Sequence, residues 1–93
     1  MKRVLLKSSS FIRSAKRTVK KDSRLAKDIQ ATLELLSEDA FHPHLKTHKL
    51  KGNLEGSWAC SVGYDLRIVF EFVQHERTEA ILLETVGSHD EVY

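Results

Sequence analysis

Apolar and polar positions in the carboxyl-terminal half of the chain alternate with the two-residue period of paired strands. Two such runs, Ser57–Val62 and Tyr64–Val73, flank Gly63 and predict a β-hairpin or tight meander. Successive strand side chains point to opposite faces, so Leu66, Ile68, Phe70 and Phe72 share one face and Asp65, Arg67, Val69 and Glu71 the other. In the first run Trp58, Cys60 and Val62 oppose Ala59 and Ser61. One sheet can therefore bury the large set and leave a shallow polar site beside Arg67. Ahead of the hairpin, Val4, Leu5 and Leu6 within Arg3–Lys7 predict a short first strand, and Ser8, Ser9 and Ser10 supply helix N-cap candidates. From Phe11 the period changes: Phe11, Ala15 and Val19 recur at helical spacing, as do Leu25, Ile29, Leu33 and Leu36 after a cap at Asp22 or Ser23. The second helix should run to the Ser37–Asp39 stretch, and the two helices should form an antiparallel pair. Phe41–His48 holds the only proline, Pro43, and predicts a loop returning to the sheet. A polar turn over Gln74–Thr78 leads to a last buried strand, Glu79–Val86, ended by Gly87 and followed by a polar tail to Tyr93.

Charge changes this picture. Residues 1–51 hold 13 Lys/Arg against 5 Asp/Glu, and residues 52–93 hold 2 against 8, so a net charge of +2 conceals a basic half and an acidic half. Much of the excess lies on the first helix, where Arg13, Lys16, Arg17, Lys20 and Lys21 form one stripe. Such a stripe is either a solvated face or a surface for phosphates. The remaining composition mostly excludes. The 93 residues suit one domain, residues 1–93, and a single Cys permits no internal disulfide, as in a reducing compartment. No apolar run approaches the roughly 20 residues that span a bilayer, and the basic start lacks the apolar stretch of a secretory signal. A soluble cytoplasmic protein is expected. His42, His44 and His48 invite a metal hypothesis, but no Cys pair or H-E-x-x-H spacing accompanies them, so neither metal nor other cofactor is expected.

The order β-α-α-β-β-β, the segment His48-Lys49-Leu50-Lys51-Gly52, the strand Tyr64–Phe70 and the ending Val86–Tyr93 together resemble the RelE/ParE superfamily of type II toxins, nearest its YafQ branch. The resemblance covers nearly the whole chain. It implies an α+β fold, with a two-helix hairpin packed on one face of a small, mainly antiparallel four-stranded sheet. It also implies a ribosome-dependent endoribonuclease that cuts mRNA without a metal, with a cognate antitoxin, the ribosome and mRNA as partners. A ParE-like gyrase inhibitor, or a catalytically weak homologue that acts by binding its antitoxin, is the alternative.

Metal-free cleavage by the 2′-hydroxyl needs a proton acceptor, a cation for the phosphorane charge and a donor for the 5′-oxygen. Arg67, projecting from the non-core face, suits the cation role because its planar fork matches phosphate oxygens. His89 suits the donor, since an unperturbed imidazole titrates near ~6.5, and Tyr93 suits stacking on a base. The resemblance adds His48 as general base and Asp65 as a carboxylate of the site, and Lys49 and Lys51 join the basic stripe as RNA contacts. Each residue has a plainer reading. Arg67 could pair with Asp65 or Glu84, His89 could be solvated, and Tyr93 could simply pack. The chain also departs from the YafQ pattern: Ala59 and Ser61 stand where that pattern carries Asp and His, and Leu66 stands where it carries Trp.

Overall fold

A computed structural model describes residues 2–93. Its elements in chain order are β1 (Val4–Lys7), α1 (Ser9–Lys21), α2 (Leu25–Glu38), β2 (His48–Lys49), β3 (Trp58–Val62), β4 (Leu66–His75), β5 (Thr78–Ser88) and α3 (His89–Val92). Single 3₁₀ turns at Pro43–Leu45 and Gly52–Leu54 flank β2. The sheet order is β1-β5-β4-β3-β2, with β1 parallel to β5 and every other pair antiparallel. The fold is α+β as expected, but the sheet has five strands, not four. The additional edge strand is two residues long, His48 opposite Ala59 and Lys49 opposite Trp58. Two residues carry no readable period, so only backbone pairing to β3 reveals it.

The helices cover the face that the alternation assigns to the core. Phe11 of α1 and Ile29, Leu33 and Leu36 of α2 bury against Cys60, Val62, Ile68, Phe70, Ile81, Leu83 and Val86. The spacing Leu83 to Val86 breaks a strict period of two, and a register shift explains it: Phe70 opposes Leu83 while Val69 opposes Thr85, leaving Glu84 as an extra residue. This bulge restores Val86 to the core face.

β1 stops at Lys7, so the rest of β5 lacks a strand partner on that side. Serines replace it. The Ser8 N–H donates to the Leu83 carbonyl at 3.1 Å, the Ser8 hydroxyl to the Glu84 carbonyl at 3.2 Å, and the buried Ser14 hydroxyl accepts from the Val86 N–H at 3.0 Å. An orphaned buried N–H costs about 1–3 kcal/mol, which is why a polar side chain sits on the inner face of α1. Ser8 also caps α1, accepting from the Phe11 N–H at 3.0 Å.

Several local expectations are corrected. Arg24, not Asp22 or Ser23, is the N-cap of α2 and makes no side-chain cap bond. The Asp22 carboxylate instead accepts from the Arg24 N–H at 3.1 Å. The hairpin strand begins at Leu66, placing the nearly fully exposed Tyr64 and the exposed Asp65 in the turn. β5 continues through Gly87 to Ser88, because β4 extends far enough to pair Arg67 with Gly87 and Leu66 with Ser88. The polar tail is a helical turn.

Candidate active site

The sheet face away from the helices carries Arg67, Ala59 and Ser61, with Ser61 opposite Arg67 on β3 and Ala59 opposite His48 on β2. α3 lies across the end of this face. Its entry is a capping box: the Glu91 N–H reaches the Ser88 hydroxyl at 3.3 Å and the Ser88 N–H reaches the Glu91 carboxylate at 2.8 Å. Hydrogen bonding from Ser88, its backbone N–H first, holds the Glu91 carboxyl below its usual range. Gly87 admits the turn, since a Cβ there would stand 3.2 Å from Glu91 Oε1 and 3.3 Å from Val92 Cγ1. The His89 N–H donates to the Asp65 carbonyl at 3.0 Å, so Asp65 anchors the tail by its backbone.

Seated in this way, the tail brings Tyr93 onto two histidines. The Tyr93 ring packs edge-on against His89 with centroids 4.6 Å apart, and its hydroxyl lies 3.4 Å from His48 Nε2. His48 Nδ1 lies 2.9 Å from the Lys46 carbonyl. A carbonyl only accepts, so Nδ1 carries a proton, and in the neutral ring Nε2 is then the acceptor. Burial holds the Tyr93 phenol above its ordinary value against the opposing pull of the Arg67 charge, so Tyr93 stays a protonated donor at neutral pH. Arg67 is half-buried, and its Nη1 donates to the carbonyls of Leu66 at 2.9 Å and Tyr64 at 3.1 Å, leaving the rest of the fork for a ligand.

The plainer reading of Arg67 does not hold: among the described residues its side chain forms no ion pair with Asp65 or Glu84. Glu84 instead accepts from the Ser57 hydroxyl at 2.8 Å and raises the Glu71 carboxyl, whose shift comes first from burial. His89 Nδ1 stands 3.6 Å from the Asp90 carboxylate. Cys60 lies on the core face, where burial pushes its thiol up to about 12, so it is no nucleophile. Ala59 and Ser61 lie on the same side of β3 as Arg67, Ala59 fully buried, and neither supplies an acid or an imidazole.

Of the predicted RNA contacts, Arg13, Lys16, Arg17, Lys20 and Lys21 are all exposed on α1, and Lys49 and Lys51 are exposed at the β2 edge. Lys21 approaches Glu91 at 4.0 Å, which puts one end of the stripe beside the tail. The His42 and His44 rings pack 4.8 Å apart, and among the described residues no three His, Cys, Asp or Glu side chains are placed to hold a metal. The capping box escaped the sequence reading, although Ser88-His89-Asp90-Glu91 spells its S-x-x-E signature.

Residues 3–93 match the family described as "Bacterial toxin of type II toxin-antitoxin system, YafQ". The chain belongs to that family. Its fold is shared with YafQ from E. coli strain BL21(DE3), with a TM-score of 0.79 at 16% identity over 98% of both chains. The E. coli DinJ-YafQ toxin-antitoxin complex matches at a TM-score of 0.77 and 17% identity, covering 100% of this chain and 99% of that one. A metal-bound toxin from Helicobacter pylori matches at a TM-score of 0.73 and 28% identity over 100% of both. No curated protein sequence matches the chain. Membership of the YafQ family makes the chain a toxin of a type II pair.

Proposed function

We propose that this YafQ-family toxin is an endoribonuclease that cleaves ribosome-bound mRNA by attack of the 2′-hydroxyl on the adjacent phosphate. The observation that carries the reading is the meeting of His48, Tyr93 and His89 at the end of the sheet face that bears Arg67. His48 Nε2 takes the proton of the 2′-hydroxyl, which displaces the Tyr93 O–H now beside it. The 2′-oxygen bonds to phosphorus, and the free N–H groups of Arg67 stabilise the added phosphorane charge. His89 in its protonated form gives a proton to the 5′-oxygen as the P–O5′ bond breaks. Tyr93, 43% exposed and aromatic, offers a face to a base once its hydroxyl is displaced. Asp65 serves through its backbone in positioning the tail.

Cleavage of a programmed ribosome should yield a 2′,3′-cyclic phosphate or 3′-phosphate and a free 5′-hydroxyl on the downstream fragment. Mass spectrometry of the fragments checks this, and a 5′-phosphate product would rule the mechanism out. A parallel gyrase assay tests the rival ParE-like activity.

The stripe on α1 supplies contacts to ribosomal RNA in this reading, because charge that neutralises phosphates binds without regard to sequence. Reversing Lys16, Arg17 and Lys20 to Glu should weaken ribosome binding and flatten its salt dependence while the fold, followed by circular dichroism, survives. Unchanged affinity at low and moderate salt would return the stripe to a solvated face. The antitoxin partner follows from the toxin family. Its expected form is an acidic, partly disordered segment that folds on the basic half of the chain. Among the described residues no helix is long and apolar enough to cross a membrane, which suits the proposed place of action in the cytoplasm.

A further inference from the structure

Trp58 opens β3 on the core face but is only half-buried. It forms an aromatic cluster with Phe72, at 5.2 Å between centroids, and with Phe41, which lies 5.5 Å from Trp58 and 5.7 Å from Phe72. Phe41 is 56% exposed. Two cations lie over these rings: the Lys49 ammonium is 5.5 Å from the Trp58 centroid and the Arg3 guanidinium 5.3 Å from that of Phe72. Trp58 and Phe72 form one wall of an open groove of about 730 Å³, with Lys49, Leu50 and Lys51 on another and Glu55 as its one carboxylate. Leu50 and Lys51 also line the cleft between His48 and Tyr93, so the two depressions adjoin.

The edge strand makes this connection short. His48 and Lys49 are consecutive on β2, so their side chains project to opposite faces. His48 meets Tyr93 on one side and Lys49 meets Trp58 on the other. A flexible strand passing round this edge would go from the catalytic face to the aromatic groove within a residue or two of protein.

Resting on the endoribonuclease reading, we infer that the Trp58–Phe72 groove is a binding subsite for a nucleotide that flanks the scissile phosphate of single-stranded RNA. The base stacks on the Trp58 ring, with the Phe72 ring, at 79° to it, lining the same groove, and the phosphate pairs with Lys49 and Lys51. Aromatic faces combined with cations are the means by which proteins hold unpaired bases regardless of identity. An acidic peptide would use the cations but leave the ring faces without a flat partner, so the chemistry favours a nucleotide.

Trp58 is the only tryptophan, so its fluorescence reports this groove alone. The whole protein is titrated with a single-stranded RNA oligonucleotide whose 2′-O-methyl groups block cleavage. Saturable quenching is expected. Phe72→Leu, which keeps an apolar side chain against the core, should weaken binding about 5- to 100-fold, the range for losing one aromatic partner of a base. Changing both Lys49 and Lys51 to Gln should flatten the salt dependence of binding. Absence of saturable quenching, unchanged affinity in the Phe72 variant, or tighter quenching by polyglutamate than by RNA would overturn the inference. Cleavage of ribosome-bound mRNA by the same preparation separates the two readings. Quenching without cleavage overturns the endoribonuclease and leaves the groove standing, whereas cleavage without quenching overturns the groove alone.

Discussion

Arg67→Ala should lower the single-turnover rate of cleavage on programmed ribosomes by on the order of 10² to 10³, while ribosome affinity changes only a few-fold. The contrast follows from where the charge acts. A cation that contacts the phosphate equally before and during reaction strengthens binding alone, and one that meets charge developing in the phosphorane accelerates the step. Arg67 is built for the second task. Its Nη1 is held by the carbonyls of Leu66 and Tyr64, and its strand is paired on both sides, to Ser61 and to Gly87. The guanidinium therefore needs little reorganisation when charge appears. Arg67→Lys should recover little activity, because an ammonium lacks both the planar fork and the geometry that ties one nitrogen to the backbone while others face the phosphate. Rates near wild type in a folded Arg67→Ala protein would remove Arg67 from the chemistry.

His89→Gln should cost on the order of 10² to 10⁴ in the same rate, the usual worth of one acid–base group, and should abolish the alkaline arm of the pH profile. The sign follows from the role: a donor must be protonated, so activity that depends on His89 falls as pH rises. His48→Gln should remove the opposite, acidic arm, since a base must be free of its proton. The two histidines make different polar contacts. His48 faces a backbone carbonyl and the Tyr93 hydroxyl, and His89 faces the Asp90 carboxylate. Glutamine retains polarity and similar reach but moves no proton. If both variants kept both arms, the assignment of acid and base would be wrong even with Arg67 confirmed. Ala59 and Ser61 sharpen the test, because with no acid or imidazole from β3 the two remaining histidines must carry the proton transfers of the proposed mechanism.

Local chemistry was legible in the sequence wherever it repeats at short range. The alternation from Leu66 to Phe72 placed Ile68 and Phe70 in the core and Arg67 on the open face, and the recurrence of Phe11, Ala15 and Val19 placed the basic stripe on the outside of α1. Those outcomes depend on the two- and 3.6-residue periods of strand and helix, which any stretch of chain obeys independently of the rest. The resemblance to the RelE/ParE superfamily, carried by motifs that fall on β2, on β4 and at the β5–α3 end, was also legible in the sequence.

Only the tertiary structure decided what these pieces do together. His48 and Tyr93 are 45 residues apart, and they meet because β2 joins the sheet edge and the tail folds back over β5. β2 is too short to show a period, and the tail's course rests on Gly87, whose missing Cβ gives α3 room over the strand end. The same distance between sequence and contact hid the aromatic groove. Trp58 alternates like a core residue, yet it is only half-buried beside the exposed Phe41, and no pattern along a single strand records what covers a face. Periodicity assigns a side chain to a face; whether that face is covered, and what lies next to it, is settled by long-range packing.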